Sequence, residues 1–434
     1  MIFLLLICLS SILVINYFIN DRNPIAPSVL FSGGFFLMTI FAAINSSKWS
    51  LELDANTFWI LVGGITEFSA VTWITNKVFE KKDNYIDNYN YIDIENNLIT
   101  NRLFILDFIV LFNFILVLFE IRRITGIGNP VLAANYLNAS SRNINNTITL
   151  SGRASLATII NIAICIWGEW NFSKALIVYK RWNYSLLFAV ILSAITPLMN
   201  GGRNDTITCL ISFYIFIYFA LRMKYKNKLR NSKFLIVTGI SLILFLIILP
   251  WTATTVGRDV SYYTPFDYVS IYVGAELKNL SIFVQNGIFP IQNQIWGSHT
   301  FYALIPTISK WFHLNIPRYL VYLPFQYVNG YNLGNVYTIF YPWLYDFGYT
   351  GMAIMTFMMA FMSQFIYILG KRTVNKFMTV FPLLYGYFGA FIFLSFFADN
   401  IIQKISINLV YIIITWIVLN HLFLYNQKSI NIGS

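Results

Sequence analysis

The chain has 434 residues, of which 57% are hydrophobic and only 11% charged, whereas a soluble fold of this size needs about a quarter of its residues charged to solvate its surface. An assembly of soluble domains is excluded, and a membrane protein is indicated. The net charge of +11 would raise the question of nucleic acid in a soluble protein; here a positive-inside bias accounts for it.

At roughly 20 apolar residues per spanning helix, the length allows on the order of ten to fourteen spans. Apolar runs long enough to cross occur near 1 to 19, 24 to 44, 57 to 75, 103 to 121, 154 to 178, 184 to 199, 206 to 221, 234 to 256, 350 to 369, 378 to 397 and 405 to 425. The expectation is an all-α, polytopic helical membrane protein with about 11 transmembrane helices in a single integral membrane domain covering 1–434. The first run lacks a basic segment before it and a small-residue cleavage site after it, so an uncleaved anchor helix is expected. Smaller polar segments occupy 76 to 102 and 122 to 153, and one long stretch, 257–349, does not span. Cys8, Cys165 and Cys209 all lie in apolar runs, with neither a disulfide framework nor metal-type spacing.

Alternate loops differ in their basic residues. One side holds Lys48, Arg122, Arg123, Arg142, Arg153, Arg203, Arg258, Lys278, Lys310, Arg318 and Lys404; the other holds 17, including the run Arg222, Lys224, Lys226, Lys228, Arg230 and Lys233. The richer side is expected to be cytoplasmic, which places the C-terminus inside, the N-terminus outside and 257–349 on the extracytoplasmic face. The inner loops carry 11 Lys and 6 Arg, the outer loops 4 Lys and 7 Arg. A planar guanidinium grips phosphate at two points, so outer arginines suit a phosphate-bearing ligand, although pairing with outer carboxylates or lipid headgroups would also account for them.

Glu67 lies in one span, and Glu169 and Lys174 share another. Ionised groups there cost about 2.5 to 3.5 kcal/mol each and often mark transport paths. The tight sequence Gly201-Gly202-Arg203-Asn204-Asp205 joins two helices at the outer surface. Paired glycines let backbone amides approach an anion while Arg203 supplies charge; the other reading is a short connection in which Asn204 or Asp205 caps the next helix. Gly257-Arg258 forms a second such pair on the same face, and two arginines there would clamp a diphosphate.

The stretch 257 to 345 contains seven charged residues and 22 aromatic ones among 89. Phe266, Val269, Val273, Leu277, Leu280 and Val284 keep helical spacing with Asp267, Ser270, Lys278, Ser281 and Gln285 on another face, which predicts an amphipathic helix at the interface. The aromatics fit an interfacial belt and also flat surfaces for sugar rings. His299, within Gly297-Ser298-His299-Thr300, is a candidate general base or a hydrogen-bonded loop residue. The carboxylate of Asp346 is either a helix cap or a catalytic group. Neither a nucleotide phosphate loop nor a dinucleotide fingerprint is present, and Asp93-Ile94-Glu95, the nearest approach to a nucleotide-sugar metal motif, lies in an Asn- and Tyr-rich inner loop, 83 to 97, read as solvated. No cofactor is expected.

Gly201-Gly202-Arg203 between two central helices, Gly257-Arg258 opening a large outer loop, and Asn335-x-Tyr337-Thr338 with Asp346-Phe347-Gly348-x-x-Gly351 closing it together make the chain resemble the oligosaccharide repeat unit polymerases, the Wzy-type O-antigen or capsular polysaccharide polymerases. The resemblance covers about 184 to 425; the first half matches only as a run of spans. It implies a bacterial plasma-membrane glycosyltransferase that lengthens a surface polysaccharide from undecaprenyl-diphosphate-linked repeat units on the outer face, with a flippase and a chain-length regulator as partners. Arg203, Arg258, Gly201 and Gly202 would hold the donor diphosphate. Asp346 or His299 would accept the proton of the attacking hydroxyl, and Asn335, Tyr337 and Thr338 would contact sugar in a metal-independent reaction. A histidine in that loop is the base of the related O-antigen ligases, and His299 corresponds to it loosely. A ligase, or a flippase for the same lipid, is the alternative.

Overall fold

A computed structural model describes residues 1–80, 98–140, 150–225, 264–291, 295–316, 323–374 and 380–424, with isolated positions at 321 and between 234 and 250. The described chain is mostly helical. Its helices are α1 (Ile2–Ile19), α2 (Pro27–Ile44), α3 (Ala55–Phe79), α4 (Leu103–Thr125), α5 (Pro130–Ser140), α6 (Gly152–Ser173), α7 (Tyr184–Met199), α8 (Asn204–Tyr225), α9 (Pro265–Asn286), α10 (Ile305–Trp311), α11 (Phe340–Thr373), α12 (Phe381–Phe393), α13 (Asn400–Lys404) and α14 (Ile407–Phe423). Six helical segments, α1 to α3, α8, α11 and one running from Thr100 through α4, are long and apolar enough to cross a membrane, and α7, α14 and the segment Phe381–Phe396 are shorter apolar helices. The run expected at 234 to 256 lies largely outside the described residues, as do Arg258 and the loop 83 to 97.

Local chemistry sets the boundaries. Pro27 opens α2 with a φ already suited to a helix. Asp54 caps α3 by accepting from the Asn56 and Thr57 amides, and Gly126 ends α4 in a left-handed conformation.

Packing then divides each helix into a lipid side and a protein side. On α4 the large side chains Phe104, Phe108, Phe112 and Phe119 point outward, as do Phe357, Met358 and Met362 on α11. Exposed apolar stripes of that extent are compatible with lipid and not with water. The inward faces carry hydrogen-bonded polar groups: Asn16 donates to Ser69 (2.9 Å), Asn113 to Asn161 (3.0 Å) and Asn161 to Thr196 (2.9 Å). Such contacts hold helices together where the hydrophobic effect does not. Helix α6, buried along nearly its whole length, is central and packs on α4, α7, α8 and α14.

The connections gather at two ends. At one, Lys48 pairs with Asp267 (2.6 Å), Lys278 donates to the Ser50 carbonyl (2.7 Å), Asn204 donates to Asn400 (2.8 Å) and Lys404 pairs with Asp205 (2.5 Å). At the other, Lys371 pairs with Glu80, Lys224 donates to the Ile177 carbonyl (2.5 Å) and the Ile99 amide to the Phe423 carbonyl (2.8 Å). These are the two sets of loops that charge counting put on opposite sides.

Three features differ from the sequence reading. Helix α9 forms where expected, but its polar face is buried at Asp267, Ser270 and Ser281, with Lys278 half-buried and Gln285 exposed, and Glu276 and Asn279 elsewhere on it are buried too. It lies across the end of α2, where a Cβ on Gly274 would meet the Ala42 nitrogen at 2.7 Å. Helix α11 begins at Phe340, ahead of the expected span at 350, and is broken at Gly348 (φ 66°, ψ −164°), where residues 289 and 290 press against the backbone. A hairpin not anticipated from sequence pairs β1 (Gln326–Val328) with β2 (Tyr331–Gly334), its turn made by Asn329 and Gly330, both with positive φ.

Candidate functional site

Arg203 leaves the turn between α7 and α8. Gly201 adopts φ 79°, a conformation open to glycine, which brings the chain round so that Arg203 points inward. Its guanidinium lies over Tyr272 (4.7 Å to the ring centre) and beside Tyr268 (5.9 Å) of α9. The residue is only 8% exposed and forms no ion pair among the described residues, and its Nη1 has no hydrogen-bond partner there. A buried guanidinium held by rings instead of a carboxylate keeps its charge available to an anion. In this turn Asp205 pairs with Lys404, and the Asn204 side-chain amide donates to Asn400. Gly202 has open space around its Cα.

His299 and Asp346, far apart in sequence, meet at the first turns of α11. The Asp346 carboxylate accepts from the amides of His299 (3.0 Å) and Thr300 (2.6 Å), and the His299 Nδ1 is 3.8 Å from it. The imidazole stacks on Tyr345 (3.7 Å between centres) with Ser298 Oγ at 3.2 Å from Nδ1. Burial lowers the basicity of His299 to about 4 from an ordinary 6.5, so it is neutral near pH 7. Tyr345 and Tyr341 continue into a cluster with Phe283 of α9 and Tyr337.

The proposed sugar contacts have structural work of their own. Tyr337 is buried, its hydroxyl donating to the Pro324 carbonyl (3.0 Å) and accepting from Gln326 (2.9 Å). Thr338 Oγ1 accepts from the Phe340 amide (3.3 Å) at the start of α11. Asn335 is half-buried beside the hairpin. Arg258 lies outside the described residues, so its relation to Arg203 is not among the contacts described.

Asp399, which sequence reading passed over, links the two halves of the site. Its carboxylate accepts from Trp343 Nε1 (3.0 Å) of α11 and the Ile402 amide (3.2 Å), and Asp346 is close enough for its charge to act on it. The next residue, Asn400, bonds Asn204 beside Arg203. Glu276 was also missed. It shares one face of α9 with Tyr268, Tyr272, Asn279 and Phe283, a spacing of three and four that was visible in the sequence. Arg203 meets that face at Tyr272, and the His299 cluster meets it at Phe283.

Two of the three intramembrane charges, Glu169 and Lys174, are locally engaged. Glu169 accepts from Ser212 (2.6 Å) and from the Cys165 thiol (3.4 Å), while Lys174 lies over Trp170 (4.9 Å). Cys165 and Cys209, distant in sequence, converge on that glutamate, with donor atoms within 4.8 Å of one another. Spacing rules for a single segment do not detect such a group, which draws on two helices. It satisfies its own hydrogen bonds.

Comparison of the chain with family models, with curated proteins and with solved structures finds no match.

Proposed function

We propose that the chain is a membrane glycosyltransferase that polymerises undecaprenyl-diphosphate-linked oligosaccharide repeat units into a surface polysaccharide, O-antigen or capsule, on the outer face of a bacterial plasma membrane. The observation that carries this reading is Arg203: buried, ringed by Tyr268 and Tyr272, and without an acidic partner among the described residues. It sits at the end of the bundle where the aromatic segment collects. A guanidinium so placed lowers the barrier to departure of a lipid diphosphate from an anomeric carbon by charge-assisted hydrogen bonds that strengthen as charge develops. The aromatic wall at Phe283 and Tyr345, both half-buried, suits sugar rings and limits water, which would otherwise hydrolyse the donor. Arg258 is assigned to the same diphosphate from the sequence.

A flippase would need polar groups along a central path. Glu169 and Lys174, the buried charges of α6 and the turn after it, are instead engaged by Ser212, Cys165 and Trp170. A ligase shares the lipid donor and differs in the acceptor. A deletion strain separates the three: single capped repeats mark a lost polymerase, long chains retained on the carrier a lost ligase, and units held inside a lost flippase. Arg203→Lys, which keeps charge but loses two-point geometry, is expected to shorten or abolish polymer at normal protein levels. Wild-type chain length from that variant, seen on gels of the surface polysaccharide, would contradict the assignment.

A further inference from the structure

The reaction above needs a group to receive the acceptor's proton, and the two candidates read from sequence are both engaged. Asp346 has its carboxylate fixed by the backbone amides of His299 and Thr300, at 3.0 and 2.6 Å, which makes it the anchor of the 298–300 turn. His299 is half-buried and stacked on Tyr345. Both also lie toward the Phe283 end of α9, whereas Arg203 lies at Tyr272. The eleven positions from Tyr272 to Phe283 advance a helix by about 16 Å, and a base must come within hydrogen-bond reach of the hydroxyl that attacks beside the diphosphate.

Glu276 lies on the same face, one turn from Tyr272. It is 1% exposed, and its Oε2 has no hydrogen-bond partner among the described residues. A carboxyl oxygen left unpaired in a dry interior is costly unless something else completes it. On the opposite side of the same helix the charged and amide groups have partners: Asp267 pairs with Lys48, Lys278 reaches the Ser50 carbonyl and Gln285 reaches the Glu52 carbonyl. Glu276 is thus a buried acid with one carboxyl oxygen unpaired among the described residues, one turn from the tyrosine over which the arginine lies.

Resting on the reading of the site as a lipid-diphosphate glycosyltransferase, we propose that Glu276 is the catalytic base and that Asp346 holds the 298–300 turn in place. The acceptor hydroxyl oxygen forms its bond to the donor's anomeric carbon. The bond from that carbon to the diphosphate oxygen breaks, its electron pair leaving on the diphosphate opposite Arg203. The hydroxyl proton passes to the Glu276 carboxylate and returns to solvent or to the departing diphosphate before the next cycle.

The test measures binding and transfer separately. Full-length protein in vesicles is titrated with undecaprenyl diphosphate, and the same variants are expressed in a deletion strain whose surface polysaccharide is sized. Glu276→Gln is expected to bind undecaprenyl diphosphate as the wild type does while polymer output falls on the order of 100-fold or more. Glu276→Asp, which keeps a carboxyl group, is expected to retain measurable polymer and guards against a variant that merely fails to fold. Wild-type polymer from Glu276→Gln overturns the assignment, as does loss of lipid binding together with polymer in both variants. If the wild type itself does not bind undecaprenyl diphosphate, and deletion leaves polymer length unchanged, the underlying functional reading fails instead.

Discussion

Single residues in this site answer to burial more than to charge pairing, and two of them titrate in opposite senses. Burial pushes Asp399 up to about 7 from its ordinary 3.8, the charge of Asp346 adding to the effect against donors from Ile402 and Trp343. Burial lowers His299 to about 4 from 6.5. Asp399 holds its proton more tightly folded than unfolded, so its stabilisation is complete below about pH 4 and is lost as pH rises through about 7. For His299 the sign reverses: its neutral form is favoured by folding, so that stabilisation is complete above about pH 6.5 and is lost as pH falls toward 4. Over the shared interval the two slopes offset each other in the wild type. Asp399→Asn removes the falling slope, and its melting temperature should therefore climb from pH 4.5 to 6.5 relative to wild type. His299→Gln should do the reverse, and melting curves of purified protein across that range that run parallel for all three would refute both shifts. Of these residues, sequence alone offered His299 and Asp346, because each stood beside small polar or aromatic neighbours. Asp399 had no local signal; its importance comes from Trp343, a residue on another helix that supplies its hydrogen bond.

Among the elements, α9 shows how much a spacing pattern conveys. Its apolar periodicity correctly predicted a helix, but polarity on the other face was taken as a sign of water. The structure uses that polarity against the connection between α2 and α3, where Lys48 and the Ser50 and Glu52 carbonyls receive it. A period specifies a face and not what covers it. The hairpin was legible in principle, since Asn329-Gly330 between Tyr327-Val328 and Tyr331 carries the two-residue turn signal, a signal left unused beside the stretch's aromatic content. The close approach of α9 to α2 gives a prediction at this scale. An added Cβ at Gly274 meets the Ala42 nitrogen at 2.7 Å and the Phe41 carbonyl carbon at 2.9 Å, both backbone atoms that have no rotamer to change. Gly274→Ala should displace the helix and lower stability by roughly 1–3 kcal/mol, as overpacking does in other tight interfaces. Because Tyr268, Tyr272 and Glu276 ride on the same helix, polymer output should fall with it. A variant with wild-type melting behaviour and wild-type polymer would show that α9 can shift without consequence.

For the whole molecule, hydropathy recovered the helical membrane class, because the cost of placing polar groups in hydrocarbon shapes every span, and charge counting assigned the loops to sides. They did not recover helix depth: α6 is buried along nearly its whole length yet is less uniformly apolar than α1 or α4, its Asn161, Glu169 and Asn171 being satisfied by neighbours and by its own backbone. The two-ended clustering of connections is the feature that turns a topology count into a testable geometry. Lys310 belongs to α10, in the segment that carries the candidate site, and Lys77 lies in the last turn of α3, next to the Glu80 and Lys371 pair at the opposite end. Both are exposed. Cys165 and Cys209 are buried, so replacing Cys8 leaves a background with little accessible thiol. In that background, Lys310→Cys should react with a membrane-impermeant maleimide on intact spheroplasts, whereas Lys77→Cys should react only after the membrane is opened. Equal labelling of both before permeabilisation would place the two ends on one side and remove the outward-facing site on which the proposed chemistry depends.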